Sequence, residues 1–473
     1  MNIKSAIKSA AVLFFLLLPV LSVFSQSSYL EEERILKGAS FHENVEVRAA
    51  MADSINAPFY SLLTRQKEIH SQLLSPAAVE FELRKSEDSF YLIFKNELNY
   101  RYPVWGRGNY IIKRDLRSGE FKQIKIFLQN DELSYIRLFP LDENRSSLEL
   151  TLYGVTLYSG IVLPVSLKEL SVNSFARLMY LTKGTVRWDQ IFSNASYPEW
   201  RSVDLLQQKI REQLPALHEF EDGAMDSEGH FVLIKDGSPA PKEGGVNCSG
   251  FAKWVADGML LARGADTLLD LESLKTPTET ESREKNPWSR ARSDRDPYFG
   301  LDWSRNLASA LRLSEPGASI NSPLDMDVRT VPFFPYKEHV GYKLDQLKTL
   351  LYLQAVKSPG SIYFGAVNSL YGTDPALWQY YHIAVFFPWF DENGDFQLQV
   401  METGSLSSLE NLEARYPGTF IHLSRAGASD FISPGPENED YNELPSPQES
   451  ADSIQSAEED VEFDDSVIGT FAR

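Results

Sequence analysis

The spacing of apolar and polar residues changes period several times along the chain. Over residues 29–75 apolar positions recur at three and four. This predicts helices over 43–55 and 60–74, stopped at Ser75-Pro76. From Val79 the period falls to two: Val79, Phe81 and Leu83 alternate with Glu80, Glu82 and Arg84. Strand-like runs follow over 90–95, 109–115, 121–128, 133–139, 147–154 and 157–163, with turn signals at 116–120 and 142–145. Short strands at this spacing predict an antiparallel β-sandwich or barrel. None of its residues points to chemistry, so support, ligand binding or partner docking is its expected role.

Residues 166–220 return to helical spacing, with Asp204 as the expected cap of a helix through Leu205, Leu206, Ile210 and Leu214. A strand is predicted over 231–234, then a loop over 236–245, then a helix starting at Cys248. Residues 262–335 are irregular and rich in Pro, Ser, Asp and Arg, with one helix expected over 302–313. Loops of that length are functional or disordered. A helix over 344–356 precedes Ser358-Pro359-Gly360 and a strand over 361–365. Runs over 381–390 and 396–402 read as a hairpin across Asp391-Glu392-Asn393-Gly394, with Asn-Gly as the turn. A last strand is expected over 419–423. The fold class is therefore α+β. N-terminal helices (26–77) and an all-β domain (78–165) lead through a helical connector (166–220) to a second α+β domain (221–432), which carries an insertion over 262–345.

Composition changes this picture at the two ends. Lys4 and Lys8 precede an apolar run over 10–21, and Val23 and Ser25 are small, so residues 1–25 are expected to be a signal peptide cleaved after Ser25. The run is short for a membrane span. The mature chain is expected to be exported, to the periplasm or beyond a bacterial cell, without stable membrane insertion. Of the formal charge of −20, residues 433–473 carry −11, and that acidic, Pro- and Ser-rich tail is expected to be disordered. An acidic chain without a basic stripe is a poor nucleic-acid ligand.

Cys248 is the one cysteine in 473 residues. In an exported chain it has no internal disulfide partner and stays a thiol. It sits where Gly244-Gly245-Val246-Asn247 turns into the apolar run Phe251, Ala252, Trp254 and Val255. Unpaired N–H groups and the dipole at a helix start favour the thiolate. Most lone cysteines are small core residues instead, so the position alone leaves both readings open. Cysteine chemistry needs a base and a group to orient it.

Three blocks occur in order: Asn247-Cys248-Ser249-Gly250-Phe251, Pro359-Gly360-Ser361-Ile362-Tyr363-Phe364 and His382-Ile383-Ala384-Val385-Phe386. Together they resemble the NlpC-type papain-like cysteine peptidases over roughly residues 225–425. The resemblance implies a papain-like domain in which the helix carrying the nucleophile packs on a small antiparallel sheet carrying the base. Carried over by position, Cys248 would be the nucleophile, His382 the general base and Glu402 the orienting group, with Thr403 as its fallback. Asn247 and Ser249 would contact substrate, and the Cys248 N–H would join an oxyanion hole. Asn247 stands where the family has Asp, and Glu402 where it has His, Asn or Gln. A strict two-residue turn at Asn393-Gly394 would pair Glu402 with Val385, on the wrong face for His382, so a bulge near Pro388 is expected to correct the register. Residues 262–345 would form a lid or substrate wall. His339, in His339-Val340-Gly341-Tyr342, is a competing candidate for the base; His230 and His422 are expected to be structural.

The family implies a hydrolase that cleaves peptide or amide bonds in bacterial cell-wall peptides, with no cofactor and no metal. Two other readings use the same residues: a non-catalytic binding protein on a degenerate papain-like fold, and an acyltransferase or amidase on the same scaffold.

Overall fold

A computed structural model describes residues 28–38, 40–193, 195–241, 244–279, 296–373, 376–403 and 405–434. The expected signal peptide and acidic tail lie outside these residues. The described chain up to Pro434 belongs to one compact unit.

The first sheet is an eight-stranded antiparallel meander in sequence order: β1 (Glu68–His70), β2 (Val79–Lys85), β3 (Ser89–Asn96), β4 (Tyr110–Asp115), β5 (Phe121–Phe127), β6 (Tyr135–Pro140), β7 (Ser146–Leu152) and β8 (Val155–Leu163). The period-two pattern put β2 to β8 within two residues of their observed ends. The strands form one continuous sheet rather than two packed ones, and among the described residues no ladder joins β8 back to β1. The helix expected over 60–74 does not form. A single 3-10 turn, Phe59–Ser61, and the edge strand β1 take its place. Leu73 and Leu74 are fully exposed there, so their helical spacing does not reflect a buried face. In the connector the long helix is Tyr197–Gln213. It starts seven residues before Asp204, at a capping box of Ser196 and Glu199 with Pro198 in the first turn.

The second sheet has the order β11-β16-β12-β13-β14-β15 and is antiparallel throughout. Its strands are β11 (Tyr342–Lys343), β12 (Ser361–Tyr371), β13 (Leu377–Phe390), β14 (Phe396–Glu402), β15 (Ser405–Ser407) and β16 (Phe420–Gly427). A small hairpin, β9 (Gly223–Met225) with β10 (Phe231–Leu233), stands beside it. One face of the second sheet, through Ile362, Phe364, Ile383, Val385 and Phe387, packs against the helix Cys248–Ala262 and the helix Phe299–Leu313. The other face, through Tyr363, Ala384, Phe386 and Val400, shares a core with the first sheet.

The helix Leu347–Lys357 lies inside that shared core. Nine of its eleven residues are buried, so it has no polar face. Two of its polar side chains, Thr349 and Tyr352, find partners on the first half of the chain. Thr349 Oγ1 donates to Leu152 O at 2.9 Å, Tyr352 OH to Ile191 O at 2.7 Å, and Gln129 Nε2 to Tyr352 OH at 3.0 Å. A second tie is Arg107, between β3 and β4. It donates to the Gly394 carbonyl at 2.8 Å and the Asn393 carbonyl at 3.1 Å and pairs with Asp395, all in the β13–β14 loop.

Gly250 fixes how closely the Cys248 helix approaches β9. A Cβ there would lie 2.1 Å from the Gly223 carbonyl oxygen. In an open helix, Gly→Ala stabilises by about 0.5–1 kcal/mol. Here the sign reverses: Gly250→Ala is expected to destabilise by about 1–3 kcal/mol through overpacking, read as a lower urea midpoint. A rise in the midpoint would show that the two backbones are not in contact.

Candidate functional site

The site is built from four segments. Asn247 caps the Cys248 helix: its Oδ1 accepts from Gly250 N at 2.8 Å. Cys248 is therefore the first helical residue, where the unpaired N–H groups and the dipole favour negative charge. The residue is half-buried and lines a cavity. The His382 ring and the Ile383 N–H of β13 act on the thiol electrostatically, and Ser249 Oγ lies 4.0 Å from the sulphur. β14 pairs with β13 only as far as Val385 opposite Met401, so the β13 edge at Ile383 is not covered by that neighbour.

Glu402 ends β14. Phe390 pairs with Phe396, so the loop between them is the five residues 391–395, held by Asp391 N–H to Asp395 O at 3.0 Å and Gly394 N–H to Asp391 O at 2.9 Å. That loop shifts the register by one from a strict Asn-Gly turn. Met401 then stands opposite Val385, and Glu402 falls on the side of Ala384 and His382. The ladder is regular through Pro388, so the expected bulge is absent; loop length does its work. His382 Nε2 is hydrogen-bonded to Glu402 Oε2. With Nε2 so engaged, Nδ1 is left for the Cys248 thiol.

Electrostatics make the three a charged unit. Burial pushes the Cys248 thiol up, but His382, the Ile383 N–H and Ser249 outweigh it and bring the thiol below its ordinary value. Burial opposes charge on His382, yet Cys248 and Glu402 push its pKa up to about 9. Glu402 is raised by burial and lowered more by His382, Arg415 and Ser407, to about 2. A lowered thiol beside a raised imidazole favours the thiolate–imidazolium form of the pair over the neutral one.

These groups open into a cavity of about 720 Å³. One wall is Glu219, Phe220, Glu221 and Asp222, from the segment entering β9. Asn411, Ala414 and Arg415 of the helix Leu409–Arg415 also line the cavity, with Tyr416, whose ring centroid lies 5.3 Å from that of His382. Asn247 and Thr403 also line it. Ser249, expected to contact substrate, is buried, its carbonyl accepting from Trp303 Nε1 at 2.9 Å, and it is not among the lining residues. Among the described residues, none from 262–345 lines the cavity. The helix Phe299–Leu313 instead buttresses the Cys248 helix from behind.

The competing histidine stands elsewhere. His339 Nδ1 is 3.1 Å from Arg305 Nη2 and its Nε2 is 2.8 Å from Glu279. Arg305 is paired bidentately with buried Asp327, at 2.8 and 2.7 Å, and fully buried His422 lies 3.4 Å from the same carboxylate. These groups lock the inserted segment onto β16. His230 is exposed beside Asp226 and Glu228 on the β9–β10 turn.

The sequence reading missed Arg415, Tyr416 and the 219–222 wall. No spacing marks them, because they reach the cavity from segments that contain no nucleophile or base. A family model described as a domain of unknown function (DUF8515) matches residues 37–190, which hold the first sheet and none of the cavity residues. No curated protein and no solved structure matches the chain.

Alkylation of Cys248 by iodoacetamide across pH reads the pair directly. The rate is expected to stay high at pH values below the ordinary thiol pKa of about 8.5. His382→Ala is expected to move the apparent pKa back to that value or above, since burial then acts unopposed. Matching profiles for the two proteins would remove the ion pair. The sign for stability follows from the same shifts. The His382 contribution is complete below its ordinary pKa of about 6.5 and lost as pH rises through about 9. The Glu402 contribution is present above its ordinary value and lost as pH falls toward about 2.

Proposed function

We propose that this protein is an exported cysteine hydrolase that cleaves peptide or amide bonds of bacterial cell-wall peptides, on a papain-like domain of the NlpC type. One observation carries the reading: a thiol at a helix start and a histidine held by a buried carboxylate meet at the mouth of a cavity large enough for several residues of a peptide. The three ordered sequence blocks support the family, and the N-terminal apolar segment supports export.

The chemistry follows from the pair. The Cys248 thiolate attacks the carbonyl carbon, and the Cys248 N–H donates to the oxygen as it gains charge. His382, already protonated, gives its proton to the departing nitrogen as the C–N bond breaks, leaving a thioester on Cys248. His382 then takes a proton from water, the hydroxide attacks the thioester, and the carboxylate product leaves the thiolate behind. Glu402 steadies the imidazolium throughout. An acceptor amine in place of water would make the same site an acyltransferase.

The charge of the cavity selects among substrates. Asn247 is occupied as a helix cap, and the negative charge its family counterpart carries is supplied here by Glu219, Glu221 and Asp222. This wall favours a substrate bearing an ammonium group near the scissile bond.

Incubation of the mature protein with purified peptidoglycan is expected to release soluble peptide fragments that Cys248→Ala does not release; equal release by both proteins would sink the proposal. On a peptide with a free amino group, Glu219→Gln with Glu221→Gln is expected to raise KM about threefold or more at low salt with little change in kcat, as loss of exposed charges does. An unchanged KM would take the wall out of recognition.

A further inference from the structure

The orienting group is the most demanding residue of the site. Glu402 is 4 % exposed, and a carboxyl so buried is driven toward its neutral form. A neutral acid would hold the ring of His382 but would lose the Coulombic hold on its charged form. Glu402 therefore needs a second cation besides His382.

Arg415 supplies it. Its Nη2 donates to both oxygens of Glu402, and its Nε lies 3.4 Å from the Asn411 carbonyl. The guanidinium carbon lies 5.3 Å from the centre of the Tyr416 ring, which itself lies beside His382. Arg415 closes the helix Leu409–Arg415, whose start is fixed by Ser408 Oγ accepting from Asn411 N at 3.1 Å. The arrangement is not a surface ion pair: the carboxylate end is buried while the arginine side chain stays 47 % exposed, toward water. Removing one partner of such a pair leaves an uncompensated buried charge.

We infer that Arg415 is a positioning residue for the Cys248–His382 pair: it neutralises and fixes the Glu402 carboxylate, which in turn fixes the imidazole against the thiol. The role rests on the reading of this site as a reactive cysteine centre, but it requires no particular substrate. The groups that face His382 and Glu402 are Cys248, Ser407, Arg415 and Tyr416, and Glu219, Glu221 and Asp222 line the same cavity.

The test is the pH dependence of Cys248 alkylation in the full chain, with thermal midpoints measured alongside, for Arg415→Gln, Arg415→Lys, Glu402→Gln and the double variant Arg415→Gln with Glu402→Gln. Without Arg415, Glu402 takes up a proton at higher pH and its hold on the imidazolium fails earlier. Arg415→Gln is expected to move the acid limb up by about one pH unit, which slows alkylation about tenfold below the limb. Arg415→Lys is expected to restore most of that loss. In the Glu402→Gln background the same Arg415 change is expected to cost less than twofold, because it acts through a charge already removed. The double variant leaves no buried charge unpaired, so it remains measurable even where Arg415→Gln alone fails to fold.

An Arg415→Gln profile superimposed on wild type, or an equal loss in both backgrounds, would overturn the inference and leave the hydrolase reading standing. A wild-type thiol that titrates at its ordinary value would overturn both. A normal thiolate profile that depends on Arg415, in a protein inert toward peptidoglycan, would support the inference and count against the substrate alone.

Discussion

The grip of Arg107 on the β13–β14 loop is the contact on which the rest of the site depends. Its guanidinium holds the Gly394 and Asn393 carbonyls and the Asp395 carboxylate, and Asn130 adds a bond to the same carboxylate at 2.7 Å. Loop length decides register, and register decides face: one residue fewer would turn every β14 side chain over. Arg107 and Asn130 both flank strands of the first sheet. Segments flanking the first sheet therefore hold the loop that puts Glu402 on the side of His382.

Charge is handled in the same way at several depths. Along the cavity lining, His382 and Arg415 flank the buried Glu402 carboxylate, and His382 also favours the charged form of Cys248. Arg305, Asp327 and His422 solve the equivalent problem where the inserted segment meets β16. A third case is Lys253 with Asp257, both fully buried within the Cys248 helix at i and i+4. The first group includes a thiol beside a cavity. The other two hold buried structure together.

Much of this was legible in the residue pattern, and what was not has identifiable causes. Period-two alternation marked β2 to β8 because each has one face on the shared core; it could not say whether those faces meet a second sheet or a set of helices. Cys248 was legible because a glycine-rich turn, a short capping residue and an apolar run have one common solution, a capped helix. His382 was legible because its block is a strand on the expected side of Pro359-Gly360. Glu402 was expected beside His382 through the wrong device, since Asn-Gly signals a turn but not whether the loop has two residues or five. Exposed Leu73 and Leu74 imitated a helical stripe. Arg415 gave no signal, because its partner is set by the path of β15 and the following helix rather than by spacing.

The helix Leu347–Lys357 imposes a consequence on the order of assembly. It is apolar on every side, and its anchors, Leu152 and Ile191, lie 197 and 161 residues earlier than Thr349 and Tyr352. Until both sheets exist this helix has nowhere dry to go, and local contacts do not shield it. Contacts of such long range slow folding and prolong the exposure of sticky surface. The chain thus completes the Cys248 cavity late, after both halves have closed on a helix that neither can bury alone.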